Sequence, residues 1–255
     1  MFNLQIIPVS PFQQNCTVIW DENKNAAIID AGDEAEKIIR FVEQEGLKVE
    51  KLLITHAHLD HIMAVDTLRQ YFGVEVYGSH LADKPLFEQL PQMCEMFGIP
   101  PVPAFLPDHW LEEGQNVQVG NLTYQIRHLP GHAPGHIGFF DMENKIAFTG
   151  DVLFKDSIGR TDLYMGNLEQ LLATVRTKLF DLPDKKITLQ NAFKEANNIL
   201  RIGIKAVVDL VLGQGFINLD FADIKSVLKD SGIAVLGYGE GEGENRAIKA
   251  AEKAL

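Results

Sequence analysis

The run Thr55-His56-Ala57-His58-Leu59-Asp60-His61 places four candidate metal ligands within six residues, directly after the apolar stretch Leu52–Ile54. Packing gives no reason to gather imidazoles and a carboxylate so tightly at a strand end. The run therefore demands a fold that delivers several strand ends to one edge. Along an extended chain, residues two apart point the same way, so His56 and His58 can share one ion. Asp60 and His61 follow the turn into the next helix and can face a second. Two further segments extend the pattern. Pro130-Gly131-His132-Ala133-Pro134-Gly135-His136 holds His132 on a turn stiffened by glycine and proline, with His136 read as a structural or outer residue. Phe148-Thr149-Gly150-Asp151 presents Asp151 from the end of a strand. Imidazole with carboxylate suits Zn2+ (one or two ions), with Fe or Mn as alternatives. His80, His109 and His128 lack ligand spacing and read as ordinary histidines.

Hydropathy patterning supplies the surrounding elements. Residues 2–9, 16–20 and 26–30 alternate as short strands do, and residues 34–45 read as a helix stopping at Gly46. Further strands are expected at 52–55, 74–77, 117–119, 122–128, 138–141 and 145–149, and helices at 62–72 and 167–179. The stretch 81–107, rich in Pro, Met and Phe, reads as an irregular or partly helical cover.

Composition excludes several partners. The chain of 255 residues has a formal charge of −12, which argues against nucleic acid or an anionic membrane surface. No stretch approaches the roughly 18 apolar residues of a membrane helix. The N-terminus lacks a basic region and reads as a strand, not a signal peptide. Two cysteines, Cys16 and Cys94, without CxxC spacing, point to a reducing cytoplasm. Up to residue 184 there are 13 Lys and Arg against 26 Asp and Glu; beyond it there are 10 against 9. All eight histidines lie at or before His136. The change of character predicts two parts, 1–184 and 185–255, joined near Pro183.

The order of HxHxDH, PGHxPGH and FTGD, with Gly159-Arg160-Thr161-Asp162 downstream, resembles the metallo-β-lactamase superfamily. Within it, the likeness is to small hydrolases similar to glyoxalase II (hydroxyacylglutathione hydrolase). The resemblance implies an α/β fold, an αββα sandwich with its metal site at one edge of two packed sheets. It implies that one ion takes His56, His58 and His132, that the other takes Asp60 and His61, and that Asp151 bridges them. Asp60 would also orient the water that attacks a small-molecule thioester. The same pattern asks for one more histidine, in a Gly-His-Gly segment soon after the helix ending near Leu179. None follows His136. The resemblance thus implies a domain lacking its last strand and helix, with a second ion site short of a ligand and hydrolysis impaired.

Residues from about 187 to 255 resemble the cell-division GTPase FtsZ. The likeness rests on Ala192-Phe193-Lys194-Glu195-Ala196-Asn197-Asn198, on Gly215-Phe216-Ile217-Asn218-Leu219-Asp220-Phe221-Ala222-Asp223 and on Gly243-Glu244-Asn245-Arg246-Ala247. It implies a mostly helical α/β fragment: a central helix, a synergy loop and the start of a C-terminal domain. Helices are expected at 189–212, 221–229 and 245–255, with a strand at 233–238. It further implies contact with FtsZ filaments through Asn218, Asp220 and Asp223. A GTPase is excluded, because the glycine-rich nucleotide loop is missing. Two readings follow: a metal-dependent hydrolase fused to this fragment, or a catalytically inactive chimera that binds one metal or engages FtsZ filaments.

Overall fold

Alternation of side chains along the first strands decides the layering of the molecule. In the computed structural model, which describes residues 2–154 and 157–179, five strands form one sheet in sequential order. They are β1 (Asn3–Val9), β2 (Gln14–Trp20), β3 (Asn25–Ile29), β4 (Lys48–Ile54) and β5 (Glu75–Gly78). The first three pair antiparallel, whereas β3–β4 and β4–β5 are parallel. Parallel neighbours need long crossovers. These are supplied by α1 (Ala35–Glu45) and by the pair α2 (Leu59–Ile62) and α3 (Val65–Phe72).

Val18, Ile28, Leu52 and Ile54 share a core with Ile38 and Val42 of α1 and Leu68 of α3. Their sequence neighbours Ile19, Ala27, Ile29 and Leu53 point the other way, into a second core with Val119, Tyr124, Ile126 and Phe139. That second core belongs to an antiparallel sheet of β6 (Asn116–Val119), β7 (Leu122–His128), β8 (Ile137–Asp141) and β9 (Ile146–Phe148). Helix α6 (Leu168–Thr174) runs on as a π-helical turn, Val175–Leu179, and buries Leu171, Val175 and Leu179. Arg127, on the outer face of β7, lies over the Phe140 ring and donates to the Lys178 carbonyl at 2.6 Å. The order of layers is helices, sheet, sheet, helix: the expected αββα sandwich. A two-residue hairpin, β10 (Leu153–Phe154) with β11 (Ser157–Ile158), follows Asp151.

Helix α1 stops where the sequence predicts, with Gly46 left-handed at φ 61° and its N–H on the Glu43 carbonyl. The expected helix 62–72 is instead split, because the chain starts a short helical turn at Leu59 that carries Asp60 and His61 back toward the strand edge. The stretch 81–107 contains two real helices, α4 (Lys84–Glu88) and α5 (Leu90–Met96), each with proline in its first turn, where a missing N–H costs nothing. Among the described residues, no helix is long and apolar enough to cross a membrane. The described residues fall within one unit, Met1–Lys185. The elements expected over 189–255, and Asn218, Asp220 and Asp223, lie outside them.

Candidate metal centre

Strands β3 and β4 run parallel, so their C-terminal ends emerge at the same edge. Asp30 follows the one and Thr55–His61 the other. The loop between β7 and β8 delivers His132 to that edge. It is closed by the Leu129 N–H on the His136 carbonyl (2.7 Å), while the Ile137 N–H reaches across to the Thr55 carbonyl (2.8 Å). Asp151 arrives from the end of β9. All six sequence-predicted ligands, from three separate loops or strand ends, therefore meet in one place.

His56, His58 and His132 are buried and their free nitrogens converge. His132 Nε2 lies 2.8 Å from His58 Nδ1 and 3.2 Å from His56 Nε2. For His132 and His56, partners on the far side fix which nitrogen carries the proton. His132 Nδ1 donates to the Arg160 carbonyl at 2.7 Å, which leaves its Nε2 lone pair facing the cluster. Thr55 Oγ1 donates to Asp30 Oδ2 (2.7 Å) and so accepts from His56 Nδ1 (3.0 Å), leaving His56 Nε2 free as well. Burial pushes the pKa of His56 well below its ordinary value, that of His58 down to about 3, and that of His132 down also. Three neutral imidazoles thus bring one nitrogen each to a common point, and those of His56 and His132 present free lone pairs there, an arrangement that suits a cation. Donor atoms around one tetrahedral zinc sit about 3.3 Å apart, given Zn–N bonds near 2.0 Å. The residues fit such an ion.

The other half is more open. His61 is buried, whereas the Asp60 and Asp151 side chains are 26% and 27% exposed. His61 Nδ1 donates to Asp30 Oδ2 (3.0 Å), and its Nε2, buried without a hydrogen-bond partner, faces Asp151 Oδ1 at 3.4 Å and Asp60 Oδ2 at 3.8 Å. The second Asp151 oxygen lies 3.7 Å from His132 Nε2. One carboxylate therefore presents an oxygen to each half. Burial opposes charge on His61, but Asp30 and Asp151 outweigh it and hold its pKa well above the usual value. Burial likewise raises Asp151, and His61 and His132 overcome it, bringing the carboxyl to about 2.

One participant, Asp30, went unread in the sequence, and another was read only as a structural or outer residue. Asp30 accepts from the Thr55 N–H and hydroxyl and from His61, orienting one ring directly and His56 through Thr55. Asp30, His56 and His61 also form a three-donor group within 4.8 Å, but the Asp30 oxygens are already engaged by these donors. Its signal was present: an acid ending an apolar strand, as in the FTGD segment. His136, read as an outer residue, accepts the Asp151 N–H at Nε2 (3.1 Å) and stacks on His56 at 4.5 Å. The remaining histidines stay apart. His80 and His128 stack on each other, and His109 pairs with Glu75. A cavity of about 500 Å³ opens beside the cluster, lined among others by Leu4, Phe12, Asp60, His61, Phe148 and Asp151.

Residues 9–191 match the model of the metallo-beta-lactamase superfamily. A hydroxyacylglutathione hydrolase, GloC of Haemophilus influenzae, is 53% identical over 188 residues, 73% of this chain and 89% of that protein. Two crystal structures are each 36% identical: BLEG-1, a B3 metallo-beta-lactamase (TM-score 0.67; 72% of this chain and 89% of that one), and TTHA1623 in a di-iron-bound form (TM-score 0.64; 70% and 87%). A cell division protein FtsZ from Wolbachia sp is 48% identical over 88 residues, 34% of this chain and 22% of that protein.

Proposed function

The chain belongs to the metallo-beta-lactamase superfamily, and from that premise we propose that this metallo-hydrolase cleaves a small thioester of the hydroxyacylglutathione class. The observation that carries the reading is the convergence of three neutral imidazoles with a carboxylate that reaches both halves of the cluster. The 53% identity to a hydroxyacylglutathione hydrolase supports the substrate class. In this reading His56, His58 and His132, with Asp151, hold one ion, and Asp60 and His61 serve a second. Zinc suits the donors, and iron is supported by the di-iron form of TTHA1623. A divalent cation held there lowers the pKa of water and polarises a carbonyl oxygen.

The protein's own groups do the rest. Asp30, acting through Thr55, and the Arg160 carbonyl hold the His56 and His132 rings in the tautomer that leaves a ligand nitrogen free. Asp60, at the cavity wall, orients the attacking water by accepting its hydrogen bond. A thiolate leaves without a proton, so no general acid is required. The absence of any histidine after His136 supports a weaker second ion and a reduced rate. Two free, buried cysteines support a cytoplasmic setting. Elemental analysis of the purified chain, beside a thioester assay with and without chelator, tests the proposal. Expected are tightly held metal, at a stoichiometry nearer one than two, and turnover abolished by the chelator. A metal-free protein after loading with zinc, or turnover indifferent to chelator, ends it.

A second reading has its own support, the 48% identity to an FtsZ over 88 residues. In it, residues beyond about 187 form an FtsZ-like fragment, and Asn218, Asp220 and Asp223 touch FtsZ filaments. Light scattering of polymerising FtsZ should then change when this chain is added, and an unchanged trace removes the reading.

A further inference from the structure

Asp83 is fully buried in the turn after β5, outside the ligand set. Its carboxylate accepts three hydrogen bonds: from the Ala57 N–H (3.1 Å), the Ser79 hydroxyl (2.9 Å) and the Gly135 N–H (2.6 Å). The first and last of these belong to the two loops that carry the imidazole cluster. Ala57 stands between His56 and His58. Gly135 stands between His132 and His136, and the turn holds it twice, because the His80 N–H also bonds the Gly135 carbonyl (2.9 Å). The approach leaves no room for a side chain: a Cβ on Gly135 would lie 2.5 Å from the His80 carbonyl oxygen and 2.6 Å from the Asp83 carboxyl carbon.

Among the described residues no cation pairs with Asp83, so ion pairing does not account for a carboxylate at this depth. Packing does not account for it either, since a buried charge without a counter-ion is costly. What the group does uniquely is accept: two oxygens meet three donors on three segments, which an amide with one oxygen cannot match.

We propose that Asp83 is a positioning residue, clamping the His56–His58 segment to the His132 loop so that the three imidazoles converge before any ion arrives. The inference rests on the reading that this cluster holds a metal. Replacing the carboxylate by an amide sets its NH2 against either the Gly135 N–H or the Ala57 and Ser79 donors, and frees one loop.

The test is zinc affinity, measured against a competing chelator for wild type, Asp83→Asn and Val42→Ala. Val42 is a buried apolar residue of α1, outside the loops that carry the cluster, and its truncation reports what a mere loss of core packing does. Asp83→Asn should weaken the tightest zinc by about 10- to 100-fold, the range for partners that orient ligands, while Val42→Ala lowers the Tm and leaves zinc affinity unchanged. Asp83→Ser replaces Asp83→Asn in the same comparison should the amide variant not fold. Wild-type affinity in the Asp83 variant, or an equal loss in Val42→Ala, overturns the clamp and leaves the metal site standing. A wild-type protein that binds no zinc overturns the metal reading itself, and the clamp with it.

Discussion

The two halves of the cluster are built on different terms. His56, His58 and His132 sit in the dry interior, and each loop that carries them is tied down through its backbone. Asp60, His61 and Asp151 sit at the wall of an open cavity, and two of the three are about a quarter exposed. The buried acids behind them differ in the same way. Asp83 grips peptide N–H groups and sets where the loops lie; Asp30 grips Thr55 and the His61 ring and sets how the rings face. The interior half is pre-positioned and neutral, so it can receive an ion with little rearrangement. The outer half holds a His61 whose raised pKa keeps a proton where an ion would go, so an ion must displace it. The comparison therefore predicts unequal affinities, with the interior half filled first.

The strongest test of that inequality removes an interior ligand. Structural zinc contributes roughly 10–16 kcal/mol over its ligands, so His132→Ala should cost on the order of 4 kcal/mol, about 1000-fold in the affinity of the tightest ion. Chelator competition reads this directly. If the tight ion survives, the interior half is not where it binds.

The next effect is on stability and concerns Asp83. Its pKa is about 6 in the folded protein against an ordinary 3.8, so the folded state carries the extra proton between those values. Stability contributed by this group is therefore greatest at low pH and falls as pH rises through that window, by about 3 kcal/mol in all. Urea unfolding of metal-free wild type and Asp83→Asn from pH 4 to 7 should show the wild type losing ground steadily to the variant. Parallel profiles would mean that the carboxylate is not held at a cost, and the contrast with Asp30 would lose its basis.

Asp30→Asn comes third. The amide can still accept from the Thr55 N–H, but it turns a donor toward the Thr55 hydroxyl and His61 Nδ1. Both rings lose the partner that fixes their tautomer. A 10- to 100-fold loss of metal affinity is expected, larger for the second ion than for the first, because His61 is bound directly and His56 only through Thr55. Equal losses in the two ions would break the asymmetry at its root.

How much of this was legible in the residues follows from what each signal depends on. HxHxDH, His132 and Asp151 could be read because unusual polar groups cluster at the ends of apolar stretches, and the αββα layering followed from the likeness those motifs carry. The split of the 62–72 helix could not be read, since it is set by where Asp60 and His61 must turn rather than by hydropathy. The hairpin of β10 and β11 is two residues a strand, too short for any alternation. Asp83 left no mark because its three donors are backbone and serine groups from three segments, and nothing local distinguishes it from a surface acid in a turn.

The smallest expected effect separates the fold from the site. Asn167 caps helix α6, its side chain accepting the Gln170 N–H at 2.9 Å, while its own N–H bonds the Gly131 carbonyl at 2.7 Å, next to His132. Only the first of these bonds uses the side chain. Asn167→Ala should therefore destabilise the protein by about 1 kcal/mol, a fall of roughly 2–4 °C in Tm, and leave the affinity of the tightest ion unchanged. Thermal melts and chelator competition on the same preparation give both numbers. A fall in affinity together with the Tm would show that α6 holds the His132 loop in place. The interior half would then depend on the helix layer as well as on the strand edge and Asp83, and it would be no better anchored than the outer half.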